Sequence, residues 1–169
     1  MAKARGPAAV ALASSLLAAG CRRHDPAREL ELFGLETYWI VDSPRQGQNF
    51  VAPVVRFRLK NVSREPLRSV QARAKFPAAD QEEAWGSIQE QVSTWRRPID
   101  PGKDTLVTVR SAGRYQSPAA PEDILRSPGF KDPRVEVYVR IGASEWALLA
   151  QAHVERRIGA PGVLSLQAP

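Results

Sequence analysis

The side chains that chemistry could recruit are few in this chain, and their spacing serves it poorly. Cys21 is the single cysteine among 169 residues, so no disulfide closes within one chain. There are two histidines. His24 lies in the polar stretch "RRHDPARE", and His153 falls on the outward parity of a strand-like segment. Nothing near His153 reads as the strained turn that presents a nucleophilic serine. Metal sites need clustered Cys, His or carboxylate ligands. "DQEE" (Asp80 to Glu83) supplies carboxylates without the spaced loop and turn glycine of a calcium site. "DPGKD" (Asp100 to Asp104) is a turn and not a G-x-x-x-x-G-K phosphate cradle. The expectation is a non-enzymatic protein with no cofactor and no metal.

Positive charge is the more informative pattern. Residues 45–75 hold Arg45, Arg56, Arg58, Lys60, Arg64, Arg68, Arg73 and Lys75 against Glu65 alone. Val55, Phe57 and Leu59 alternate with Arg56, Arg58 and Lys60. After "NVSREP", Val70, Ala72, Ala74 and Phe76 alternate with Gln71, Arg73 and Lys75. Period-two alternation is the signature of a half-buried strand. The economical expectation is a hairpin with Arg56, Arg58, Lys60, Arg73 and Lys75 crowded on one outward face. Like charges opposed across strands are mutually destabilising. Such a face invites an acidic protein, a lipid headgroup or an anionic envelope polymer, unless acids within the sheet or screening by water answer it. Nucleic acid does not fit, because no recognition helix or aromatic-studded basic strand accompanies the charge.

The N-terminus supplies an address. Lys3 and Arg5 precede the apolar run "AAVALASSLLAA" (Ala8 to Ala19), and Gly20 leads into Cys21. A basic start, a short apolar core and small residues before a cleavage point make a secretory signal peptide. The run is shorter than the roughly 20 apolar residues of a membrane span. A lone thiol in an exported chain is a reactive liability unless its sulfur is capped. "SLLAAGC" (Ser15 to Cys21) resembles the lipobox of bacterial lipoproteins, with Ala18 where that family usually has Leu. The resemblance implies that Cys21 carries diacylglycerol and becomes the new N-terminus. It also implies a place in the bacterial cell envelope, on the outer membrane facing the periplasm. Removing residues 1–20 takes away two cations, leaving 22 Lys and Arg against 18 acids, a formal charge of +4. Residues 21–29 then read as a tether between anchor and domain.

Behind the tether, residues 30–158 read as one all-β domain, with residues 159–169 as a tail. "LELFGLETYWIVD" is a strand kinked at Gly34, and "TLVTVRS" follows the Pro-Gly turn. "RVEVYVRI" turns its valines and Ile141 inward and Glu136, Tyr138 and Arg140 outward. It forms a hairpin with "EWALLAQAHVERRI", where Trp146, Leu148, Ala150 and Val154 share one parity. "EEAWGSIQEQVSTW" (Glu82 to Trp95) has apolar residues at helical spacing but reads as a strand between strands. "PEDILR", within the Pro-rich connection 112–133, starts as helices start and stops before Pro128. Six to seven strands and one short helix imply an antiparallel immunoglobulin-like β-sandwich. The N-x-S turn at Asn61, the Pro-Gly turn and the final hairpin are similar to the FxLYD type of envelope domain, although "AKFPAAD" stands in place of its tyrosine-aspartate signature. The expected function is an interaction or accessory module anchored by Cys21. The alternative is a binding protein for a small or polymeric envelope ligand, shaped by the 112–133 connection and the tryptophans, which otherwise serve the core.

Overall fold

The computed structural model describes residues 24–77 and 86–159. They form an antiparallel β-sandwich. Eight strands and two short helices follow one another as α1 (Pro26–Glu29), β1 (Leu30–Arg45), β2 (Gln48–Asn61), β3 (Val70–Lys75), β4 (Ser87–Gln91), β5 (Asp104–Arg110), β6 (Tyr115–Ser117), α2 (Pro121–Arg126), β7 (Arg134–Ile141) and β8 (Ala147–His153). One sheet runs β1-β2-β5, with β6 also pairing β2. The other runs β4-β3-β7-β8. Among the described residues no helix is long and apolar enough to cross a membrane.

Period-two alternation sets which side chains meet in the middle. Val55, Phe57 and Leu59 of β2 and Val107 and Val109 of β5 face Val70, Ala72 and Ala74 of β3 and Val135, Val137, Val139 and Ile141 of β7, in one buried cluster. Removing this apolar surface from water is the main driving force for folding, at roughly 25 cal/mol per Å². Sheet pairing departs from the sequence expectation. β2 pairs with β1, β5 and β6, and β3 with β4 and β7, so the expected β2–β3 hairpin does not form. Parity reports the buried face of a strand but not its neighbour, and two apolar faces can be buried by stacking as well as by pairing. Stacking also separates Arg56, Arg58 and Lys60 from Arg73 and Lys75.

Asn61 makes the crossing between sheets. It is fully buried. Its Nδ2 donates to the carbonyls of Glu65 and Ile99, both at 2.7 Å. Its Oδ1 accepts from the Ser63 amide at 2.8 Å and the Ser63 hydroxyl at 2.7 Å. Both donors and both acceptor sites are therefore used, and the chain turns from β2 toward β3 around this side chain. Leu67 and Ile99 exchange backbone bonds at 2.9 Å, tying the β2–β3 connection to the one leading into β5.

Other departures are local. β1 and β2 are joined through Gln46 and Gly47, both at positive φ (51° and 72°), as a two-residue type I′ hairpin requires. The β1 kink is present, with a register shift between Phe33 and Glu36 around Gly34 at φ 61°. Residues 24–29, which the sequence reads as part of a tether, pack on the body, and residues 21–23 lie outside the described residues. Asp25 caps α1 by accepting from the Ala27 amide, Pro26 is buried, and the Glu29 carbonyl accepts from Val62 at 3.0 Å. "PEDILR" is helix α2, which buries Ile124 and Leu125. β4 confirms a strand at 87–91; residues 82–85 lie outside the described residues. At the C-terminal end, Trp39 and Ile158 pair in parallel, and Gly159 donates to the Trp39 carbonyl at 2.8 Å. A Cβ on Gly159 would stand 2.3 Å from the Tyr38 ring, so the close approach requires glycine.

Candidate functional site

The five basic residues expected on one face are divided between the two outer faces of the sandwich, and the faces differ in charge. On the β1-β2-β5 face, Arg56 stands opposite Glu36, and Lys60 stands between Glu31 and Asp104. Arg58 bonds Asp104 through Nε, and Arg110 bonds Asp42. Arg114 approaches Asp42 at 3.8 Å. The strand positions of this face thus set Arg45, Arg56, Arg58, Lys60 and Arg110 against Glu31, Glu36, Asp42 and Asp104. Acids supplied by neighbouring strands answer four of the five strand cations within the sheet.

The β4-β3-β7-β8 face keeps its charge. Among the described residues, its outward strand positions carry Arg73, Lys75, Arg134 and Arg140 against Glu136 alone. β4 contributes Ser87, Gln89 and Gln91, and β8 contributes Leu148, Gln151 and His153, none of them acidic. The lone carboxylate is already engaged: Tyr138 donates to Glu136 Oε2 at 2.7 Å and Gln151 to Oε1 at 3.2 Å. That bond, with burial and the carboxylate's charge adding to it, raises the Tyr138 phenol above its usual 10.0.

Trp146 organises the cations. The Arg73 guanidinium lies 4.3 Å from its ring centroid and that of Arg140 lies at 4.7 Å. Arg140 also donates through Nε to Gln71 Oε1 at 2.5 Å, and Gln71 donates to Gln91 at 3.0 Å. The Lys75 ammonium sits 5.2 Å from the Tyr138 ring. Stacking and hydrogen bonding fix the planes of the guanidinium groups, which limits the entropy lost when their N–H edges meet a carboxylate or phosphate. By alternation alone Trp146 and Leu148 would share the face of Ala150 and Val154. A register shift between Val137 and Tyr138 resets the parity of β8, so Trp146 joins the outer face and Leu148 is exposed.

The remaining sequence candidates are dispersed. His24 Nδ1 lies 2.8 Å from Glu29 Oε2 at the base of α1. The exposed His153 offers its carbonyl to Thr37 Oγ1 at 3.0 Å. Asp80 to Glu83, Cys21 and Trp85 lie outside the described residues. Among the described residues no three His, Cys, Asp or Glu side chains gather as metal ligands. Trp39 belongs to the core, its ring meeting Phe130 edge-on at 4.9 Å. Trp95 is an exposed turn residue.

The 112–133 connection covers the end of β2 with β6, α2 and the Phe130 segment. An open groove of about 580 Å³ lies beside α2, lined by Glu122, Leu125, Arg126, Arg156 and Ile158. Its central cation is committed to the fold. Arg156 donates to Asp132 Oδ1 at 2.7 Å and to the carbonyls of Leu125 and Phe130 at 3.2 and 3.0 Å.

The sequence matches no family model and no curated protein. Among solved structures, the chain is similar to the X-ray structure of Northeast Structural Genomics Consortium target SoR45, with a TM-score of 0.44 and 10% identity, covering 86% of this chain and 97% of that one. It is also similar to Bacteroides uniformis β-glucuronidase 2 bound to cyclophellitol-6-carboxylate aziridine, with a TM-score of 0.44 and 15% identity over 70% of this chain. A calcium-binding mutant of that enzyme gives the same values. The chain spans 12% of the glucuronidase's length.

Proposed function

We propose that this chain is a lipid-anchored, non-enzymatic module of the bacterial cell envelope that docks an anionic partner on the β4-β3-β7-β8 face. The observation that carries the docking surface is the charge asymmetry between faces at the described strand positions: four acids stand against five cations on one, and a single engaged carboxylate against four cations on the other. Arg73, Arg140 and Lys75 form the contact, with Trp146 holding the guanidinium groups in place. The partner is an acidic envelope protein. Attachment to the membrane is through Cys21, which the leader and its small residues support.

Two substitutions test the parts separately. Cys21→Ala leaves the domain folded and releases it from membranes; retention in the membrane fraction would contradict the anchor. Arg73→Glu with Arg140→Glu weakens partner capture at least tenfold, whereas Arg56→Glu with Lys60→Glu leaves it nearly unchanged. Equal losses for the two pairs would contradict the assignment of the face.

A further inference from the structure

We infer that one pole of the sandwich is a bilayer-contacting tip that inserts Trp95 among anionic lipid headgroups. The inference takes membrane attachment at Cys21 from the reading above and adds the orientation of the domain. Trp95 and Arg96 are the central residues of a tight turn closed by reciprocal backbone bonds between Thr94 and Arg97, at 3.1 and 3.2 Å. Trp95 is 73% exposed, more than any other large apolar side chain among the described residues. The Arg68 guanidinium lies over its ring at 4.2 Å from the centroid. Val62, 48% exposed, stands in the same connection as Arg68. The two loops carry Arg64, Arg68, Arg96, Arg97 and Lys103 against Glu65 and Asp100. α1 adds Arg28 against Asp25 and Glu29, and the β7–β8 turn adds Glu145, so the cations of the two loops leave the pole with a small positive excess. Indole rings favour the bilayer interface, and each cation near an anionic surface strengthens partitioning roughly fivefold.

The chain places this tip beside its own N-terminal end. The Glu29 carbonyl of α1 accepts from Val62, Asn61 binds Ile99, and Leu67 pairs with Ile99. α1 and the loops 62–69 and 92–103 therefore share one pole. Only three residue steps separate Cys21 from His24, a reach of roughly 11 Å at full extension. An anchor at Cys21 thus holds this pole, and not the α2 pole, against the headgroups. The sheets then stand off the membrane with their outer faces open to the side.

The test uses the full chain, expressed in a bacterium with its leader and reconstituted into vesicles of phosphatidylglycerol and phosphatidylcholine brominated near the headgroup. The brominated lipid is expected to quench the wild-type fluorescence, and Trp95→Phe to lose most of that quenching. Arg96→Glu with Arg97→Glu reduces it severalfold in the anionic vesicles. Quenching that is equal without Trp95, or unaffected by reversing the two arginines, overturns the tip while the anchor stands if the protein still floats with the vesicles. A chain that fails to float overturns the anchor and the tip together.

Discussion

Asn61 shows how a residue with a surface signature can be structural. "NVS" has the pattern of a glycosylation acceptor, yet the side chain is buried with every donor and acceptor used. Removing it takes the acceptor from the Ser63 amide, while the Glu65 carbonyl keeps the Ser63 hydroxyl and the Ile99 carbonyl keeps the Leu67 amide; a buried group that loses its partner costs about 1–3 kcal/mol. Asn61→Ala should therefore lower unfolding stability in a denaturant titration by about 1–3 kcal/mol. Asn61→Asp should be at least as damaging, because it turns an oxygen toward two carbonyls. Tyr138 gives a second test at this scale. Its folded pKa is raised above 10.0 mainly by the bond to Glu136. The associated stabilisation is present below the unfolded phenol's pKa and is lost as pH rises through the higher folded value. In an absorbance titration, Glu136→Gln should bring one tyrosine transition to lower pH; identical curves would show that the bond does not form.

At the level of elements, alternation in the sequence was a good guide to faces and a poor one to partners. The inward sets of β2, β3, β5 and β7 follow directly from it, and "PEDILR" gave α2 through its proline, acids and following Pro128. Pairing was hidden because β2 and β3 satisfy the same pattern whether they lie side by side or face to face. Trp146 was hidden for another reason: the register shift in β8 changes parity in a run, "ALLAQA", whose residues fit either face. α1 was missed because its burial rests on Pro26 and on a backbone bond to Val62, and neither leaves a hydrophobic period. Val137 tests the part that was legible. It is fully buried at the centre of β7, so Val137→Asp places an unpaired carboxylate in the core, and a loss of about 3 kcal/mol or more is expected by thermal or chemical unfolding. A wild-type melting curve would contradict the parity.

Across the whole molecule, a sandwich gives one chain two outer faces and two poles, and these differ in chemistry. The β1-β2-β5 face is nearly charge-matched, the β4-β3-β7-β8 face is basic, and the pole beside α1 carries Trp95. Of the five basic positions picked out by sequence, Arg73 and Lys75 lie on the unbalanced face. Arg56, Arg58 and Lys60 lie on the matched one, because Glu31, Glu36 and Asp104 come from strands that sequence did not pair with β2. Lys75 and Lys60 therefore report on opposite faces with the same amine chemistry. Amine crosslinking on native membranes, followed by mass spectrometry, would test the central claim most directly. A single acidic protein joined through Lys75, with Lys60 unlinked to it, is the result expected of docking on the basic face. A partner joined through Lys60, or no protein joined through Lys75, would contradict it.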